Sequence, residues 1–229
     1  MKIAALIPAR KGSKRFPNKN LLRDKENYFL EKVISNIKKA SDQIDIFVST
    51  DCSEIENIAL KNSAKTLDRD GNFIDDHSTV VELINFHFNN ELKEYDLIYQ
   101  TYIHAICIDP QLIKASIEKI KKSDKNFLIS VGELNFPIEW SFNIKDKNLI
   151  PKFPNMQNIR SQDLDKSFFD AGQFYCYKKL WLLDTDNNYE KAAYQKLNFY
   201  QTADLDEKKD LDLLNIYYEH AKNKLSDLS

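Results

Sequence analysis

The first twenty residues, MKIAALIPARKGSKRFPNKN, constrain the fold more than any other stretch. An apolar run from Ile3 to Ile7 halts at Pro8. The loop that follows carries Arg10, Lys11, Lys14, Arg15 and Lys19 with no acidic residue among them. A short apolar run bounded by a proline reads as a buried strand. Open α/β sheets bind ligands beyond the carboxyl ends of their strands, and Lys and Arg placed there offset the charge of a polyphosphate. The formal net charge of the chain is only −2, so the basic cluster is local. With a single glycine, Gly12, the loop is neither a G-x-x-x-x-G-K-[ST] motif nor a G-x-G-x-x-G fingerprint. From charge alone, a solvated basic loop that binds nothing is an equally good reading.

A length of 229 residues suits one domain, or one domain with an inserted arm. No apolar run reaches the roughly 18 residues of a membrane span. The chain enters a strand at once with no hydrophobic signal region, so the expectation is no membrane partner and no export. Cys52, Cys107 and Cys176 are odd in number and widely spaced, which excludes a zinc knuckle and points to a reduced, cytoplasmic setting. The near-neutral charge gives no reason to expect nucleic acid as a partner.

Apolar runs alternate with helical patterns, the signature of βαβ architecture. Strands are predicted at Lys2–Ala9, Ile44–Ser49, Asp96–Thr101 and Phe127–Val131, with later ones at Phe174–Tyr177 and Asn198–Thr202. Helices are predicted over Tyr28–Ala40, from an N-cap at Ser53 through Lys61, from Ser78 or Thr79 to about Leu92, over Pro110–Lys121, and over Glu207–Leu225. Between Gly132 and Asp170 the pattern is irregular, broken by Pro137, Pro151 and Pro154 and weighted with Trp140, Phe142, Phe153 and Phe168. This stretch is either a surface excursion over the sheet edge or an arm that packs on a second subunit.

Five further strings carry polar chemistry. Ser49-Thr50-Asp51 closes a strand and reads mainly as a turn into the next helix. Asp75-Asp76-His77-Ser78-Thr79 starts a helix. Arg160-Ser161-Gln162-Asp163-Leu164 precedes Asp170-Ala171-Gly172-Gln173-Phe174-Tyr175. In Asp204-Leu205-Asp206, alternate residues of an extended segment project to one face, so the two carboxylates converge. Two carboxylates completed by phosphate oxygens suit Mg²⁺, although acids at this position also favour a helix N-terminus.

Leu6 to Asn20, L-I-P-A-R-K-G-S-K-R-F-P-N-K-N, resembles the signature I-P-A-R-G-G-S-K-x-x-x-x-K-N of the cytidylyltransferases that activate sialic acids and related nine-carbon acids. The resemblance runs from Ile3 to about Leu214. The forms R-S-Q-D-L and D-A-G-Q-F-Y, with Phe136-Pro137-Ile138 before them, are most similar to the pseudaminic acid branch. The resemblance implies an α/β fold: a single nucleotidyltransferase (Rossmann-like) domain over residues 1–229, its mostly parallel sheet flanked by helices, with a dimerisation arm in 132–170. It implies transfer of CMP from CTP to pseudaminic acid, release of pyrophosphate, a homodimer, Mg²⁺ as cofactor, and a place in surface-glycan or flagellin glycosylation.

The site residues follow from it. Arg10, Ser13, Lys14 and Lys19 would bind the triphosphate, with Arg10, Lys19 and Asp206 catalytic. Arg69 and Ser78 would add contacts to CTP, and Asn20 and the Ala9 backbone would seat the cytidine. Asp204 and Asp206 would hold the metal; Arg160 would grip the sugar carboxylate and Gln173 a hydroxyl or acylamino group. Two departures stand out: Lys11 replaces a glycine, and Tyr102-Ile103-His104 replaces small residues and a proline. They keep open the same reaction on legionaminic or N-acetylneuraminic acid, and a homologue that binds nucleotide or sugar without turnover.

Overall fold

The computed structural model describes residues 1–69, 73, 79–184 and 189–226. Its centre is a seven-stranded sheet. Strand β1 (Ile3–Pro8) has all six residues buried, because both faces of the sheet are covered. It pairs in parallel with β2 (Ile44–Thr50) on one side and β4 (Leu97–Thr101) on the other, and β2 pairs in parallel with the edge strand β3 (Lys65–Asp68). Beyond β4 lie β8 (Phe168–Lys178), β5 (Phe127–Glu133) and β9 (Ala193–Lys196), giving the order β3-β2-β1-β4-β8-β5-β9. Among the described strands of this sheet, β8 alone runs antiparallel to its neighbours.

Helices α1 (Phe29–Ala40), α2 (Ser53–Lys61), α4 (Pro110–Lys122) and α6 (Asp210–Ser226) bury their apolar stripes on one face of the sheet. Helix α3 (Val80–Asn89) and the short α5 (Lys179–Leu183) cover the other. Local chemistry sets the starts. Glu31 reaches back to accept the Tyr28 N–H at 2.7 Å, Thr79 and Glu82 exchange bonds at the head of α3, and Asp109 accepts the Leu112 N–H ahead of Pro110.

Two expectations fail. Ser53 does not cap α2: it is the first helical residue, Cys52 holds the cap position, and the Thr50 hydroxyl accepts the Cys52 N–H at 3.1 Å. Asn198–Thr202 is not a strand: Gln201 Oε1 accepts the Asn198 N–H at 3.0 Å and folds Phe199–Gln201 into a 3₁₀ turn. The edge strands β3 and β9, four residues each, were not anticipated.

The irregular stretch contains a hairpin of its own, β6 (Phe142–Lys145) with β7 (Asn148–Pro151). Its two-residue loop, Asp146-Lys147, has φ of 50° and 66°, as a type I′ turn requires. The hairpin carries its apolar side chains outward, with Ile144 79% and Leu149 67% exposed.

Strand β8 carries the irregularity that shapes the site. Opposite β5 its register jumps, Ile129 facing Tyr175 and Val131 facing Asp170, so residues 171–174 form a bulge. Gly172 there has φ +62°. Its N–H donates to Asp170 Oδ1 at 2.9 Å, and the Ser130 hydroxyl accepts the Gln173 and Phe174 N–H groups at 3.4 and 3.1 Å. In Gly172→Ala the new methyl makes ordinary van der Waals contact with Asp204 Oδ2 at 3.9 Å, but the backbone conformation is disfavoured. We expect it to lower unfolding free energy by about 1–2 kcal/mol in urea titration, and an unchanged midpoint would show that the bulge relaxes freely.

Candidate active site

The basic loop is anchored at its root. Leaving β1, Ala9 donates its N–H to the Ser49 carbonyl at 2.8 Å, and Lys11 donates its N–H to Asp51 Oδ1 at 2.6 Å. The Ser49-Thr50-Asp51 string therefore holds the loop as well as turning into α2. The loop returns through a 3₁₀ turn, Lys19–Leu21, entered by Asn18 at φ 60°. Asn20 Nδ2 donates to the Arg10 carbonyl at 2.7 Å and ties the two limbs together. Between them opens a cleft of about 450 Å³ at the carboxyl ends of β1 and β4.

The opposite wall is the segment before α6. It is extended but belongs to no strand. Leu205 is fully buried, which turns Asp204 and Asp206 outward on either side of it. Arg15 donates both terminal nitrogens to Asp206, at 2.8 and 3.0 Å. Lys19 Nζ donates to the Leu205 carbonyl at 2.8 Å and lies 3.8 Å from Asp206 Oδ1. Burial is the largest influence on the Lys19 ammonium and lowers its pKa, against the pull of Asp206 and Asp204. Asp210 is not directed at the cleft: its carboxylate accepts the Asp206 and Glu207 N–H groups, which hold its pKa down.

His104 bridges this wall to the bulge. Its Nε2 lies 3.2 Å from the Gly172 carbonyl and 3.3 Å from Asp204 Oδ1, and its ring stacks on Tyr102 with centroids 5.3 Å apart. Burial lowers its pKa. The sequence marks Tyr102 and His104 only as part of a departure from the family pattern, and Arg15 only as one of the loop's cations. Arg15 was visible as part of the basic run, whereas His104 gains its contacts from residues far along the chain.

The third wall is Arg69, beyond β3, with Thr79, Val80 and Leu83 of the α3 region. Burial lowers the pKa of the Arg69 guanidinium, with Asp51 opposing. The structure thus brings Arg10, Ser13, Lys14, Lys19, Asn20 and Arg69 to one cleft, with Asp206 facing them. Asp204 borders it through His104. Ala9 is fully buried beneath. Ser78 lies outside the described residues.

The two expected sugar contacts do not line this cleft. Gln173 is 1% exposed, and its Nε2 donates to the Ala171 and Ala203 carbonyls at 3.0 Å each, bracing the bulge against the acidic segment. Arg160 is exposed in the excursion and pairs with Asp163 at 2.9 Å. As for metals, no group of three or more His, Cys, Asp and Glu among the described residues forms a cage. Mg²⁺ needs only one or two carboxylates beside phosphate oxygens, and Asp204 and Asp206 are a hard-oxygen set of that kind.

Comparison with known proteins agrees with this architecture. The family model for cytidylyltransferases matches residues 4–224. The chain is 30% identical over 225 residues to a pseudaminic acid cytidylyltransferase of Campylobacter jejuni, covering 96% of this chain and 97% of the relative. It is 30% identical over 185 residues to N-acylneuraminate cytidylyltransferase B of Danio rerio, covering 78% of this chain and 42% of that protein. Among solved structures, the fold matches a CMP:2-keto-3-deoxy-manno-octonic acid synthetase complexed with CTP. That match has TM-score 0.69 and 14% identity, and covers 97% of this chain and 100% of the other. With a basic loop and an acidic segment facing each other across the carboxyl edge of the same sheet, and a family match that spans nearly its whole length, this chain belongs to the cytidylyltransferase family of nucleotidyltransferases.

Proposed function

We propose that this chain transfers CMP from CTP to pseudaminic acid and releases pyrophosphate. The observation that carries the reading is the cleft in which Arg10, Lys14, Lys19 and Arg69 face Asp206 at the carboxyl edge of β1 and β4. The choice of sugar is supported by similarity over 96% of the chain to the Campylobacter enzyme. In this reaction the anomeric hydroxyl oxygen of the sugar bonds to the α-phosphorus. The bond from that phosphorus to the α,β-bridging oxygen breaks, and pyrophosphate departs with its electron pair while the hydroxyl proton passes to solvent. No covalent enzyme intermediate is required, so the protein acts by holding reactants in line and matching charge.

Arg10, Ser13, Lys14, Lys19, Arg69 and Ser78 hold the triphosphate and stabilise charge on the leaving pyrophosphate. Asn20 seats the cytidine, while Ala9, fully buried beneath with its N–H committed to Ser49, supports the loop rather than touching the nucleotide. Asp204 and Asp206 would hold Mg²⁺, which supplies Lewis-acid polarisation of the α-phosphate and a lower pKa for the attacking hydroxyl. For Asp206 to do so, Arg15 must yield; exposed ion pairs are weak enough to exchange at small cost. Arg160 is the partner proposed for the sugar carboxylate. Gln173 acts on the sugar side through the bulge it braces.

The exposed apolar side chains of the β6–β7 hairpin support a homodimer formed through this arm. Three free, buried cysteines support a reducing, cytoplasmic setting. Among the described residues no helix is long and apolar enough to cross a membrane. The same reaction on N-acetylneuraminic acid is the second reading, favoured by the Danio relative.

Three measurements test these assignments. Pyrophosphate release from CTP and Mg²⁺ should be seen with pseudaminic acid and not with legionaminic or N-acetylneuraminic acid. Turnover only with one of the latter overturns the sugar, and CTP binding with no turnover on any acid overturns the activity. Asp206→Ala should lower kcat on the order of 100-fold or more with the fold intact by circular dichroism; full turnover would remove the metal assignment. Light scattering should give the mass of a dimer for the wild type and of a monomer for Ile144→Asp/Leu149→Asp; equal masses for the two would exclude the hairpin as the contact.

A further inference from the structure

One polar chain leads away from the cleft into the core. Arg69 Nε lies 3.4 Å from Ser49 Oγ, Ser49 Oγ lies 2.9 Å from His87 Nε2, and His87 Nδ1 lies 3.0 Å from a carboxylate oxygen of Glu91. Ser49 and His87 are both fully buried. Four elements meet here: Ser49 is the penultimate residue of β2, Arg69 follows β3, and His87 and Glu91 belong to α3 and the turn after it. A buried histidine and serine with every polar atom directed along one line are more than ordinary core filling.

The direction of each bond is fixed from both ends. A carboxylate only accepts, so His87 Nδ1 carries the proton that goes to Glu91. Burial, reinforced by the nearby Arg69 charge, lowers the His87 pKa against the pull of Glu91, so the ring is neutral and Nε2 accepts. Ser49 must then give its hydroxyl proton to Nε2. Its lone pairs are left facing Arg69, a residue with donors only. The same Ser49 accepts the Ala9 N–H on its carbonyl at 2.8 Å, so one residue holds both the root of the basic loop and the arginine across the cleft from it.

We propose that His87 and Ser49 are positioning residues for nucleotide binding: a Glu91–His87–Ser49 relay presents a hydroxyl acceptor that fixes the guanidinium of Arg69 toward the phosphates. The proposal rests on the reading of the cleft as a CTP site. It explains why a histidine that touches no substrate is buried beneath the cleft, and it makes α3 a lever on nucleotide affinity.

The test has a part that needs no nucleotide. Nitrogen-15 shifts of the wild-type protein should show neutral His87 as the Nδ1–H tautomer, and Ser49→Ala should move the Nε2 resonance most. A proton on Nε2 overturns the relay. CTP binding by calorimetry then reads the coupling. Arg69→Ala, Ser49→Ala and His87→Phe should each weaken CTP about 5- to 20-fold. His87→Gln, which keeps an acceptor toward Ser49 and a donor toward Glu91, should recover most of the affinity. In the Arg69→Ala background, Ser49→Ala or His87→Phe should cost less than about a further twofold. Full multiplication of the effects overturns the positioning role. Ser49→Ala removes a single oxygen atom and guards against a His87→Phe variant that misfolds. A wild type that shows the expected tautomer but binds no CTP would overturn both the nucleotide reading and the proposed coupling, leaving the tautomer relay itself intact.

Discussion

The burial of Leu205 is the constraint on which the site depends. One leucine with no exposed surface pins the segment before α6 into the core and so forces Asp204 and Asp206 outward on either side. Without that anchor the acids would sit on a loose connection to a surface helix. With it, Asp206 meets Arg15, a residue 191 positions away, in a two-point contact. The Arg15–Asp206 pair is too exposed to add much to stability. It bridges the cationic loop and the acidic wall and stays weak enough to exchange. Lys19 belongs to the same arrangement, because it binds the carbonyl of the anchoring leucine itself.

Sequence was most informative where burial is complete. The apolar runs of β1, β2, β4 and β5 and the stripes of α1 and α4 carry the sheet's centre, and they stand near their expected bounds. Legibility falls off at the edges. Strands β3 and β9 are four residues long with two exposed residues each, so neither has a run of apolar residues to betray it. Asn198–Thr202 has strand-like composition, yet an Asn–Gln pair three positions apart bonds locally and curls it into a turn.

The site divides along the same line. The basic loop and the Asp-Leu-Asp string were readable because charge and alternation are local properties. The direction of Gln173 was not, because a bulge in β8 decides it, and a bulge depends on the register of two strands. Nor could spacing alone reveal that Ser49, Arg69 and His87 meet: they lie on three separate elements, and only the packing of α3 beside β2 joins them. Strings that serve as family signatures prove to be structural devices here. Ser49-Thr50-Asp51 fastens the loop, and the string Asp170 to Tyr175 contains the bulge that sets His104 against Asp204.

The antiparallel placement of β8 also bears on how the molecule comes together. Strands β1, β2, β3 and β4 and their helices lie within the first 101 residues and can pair with near neighbours in the chain. Strand β4 finds its other partner only in β8; the Thr101 hydroxyl donates to the Gln173 carbonyl, 72 residues onward. Contacts of such separation carry the larger loop-closure cost and are expected to form late. During synthesis, therefore, the basic loop would emerge and fold onto the first half-sheet well before the acidic wall exists. The newborn half-domain would present its cations bare to the surrounding polyanions until the last third of the chain arrives to close over them.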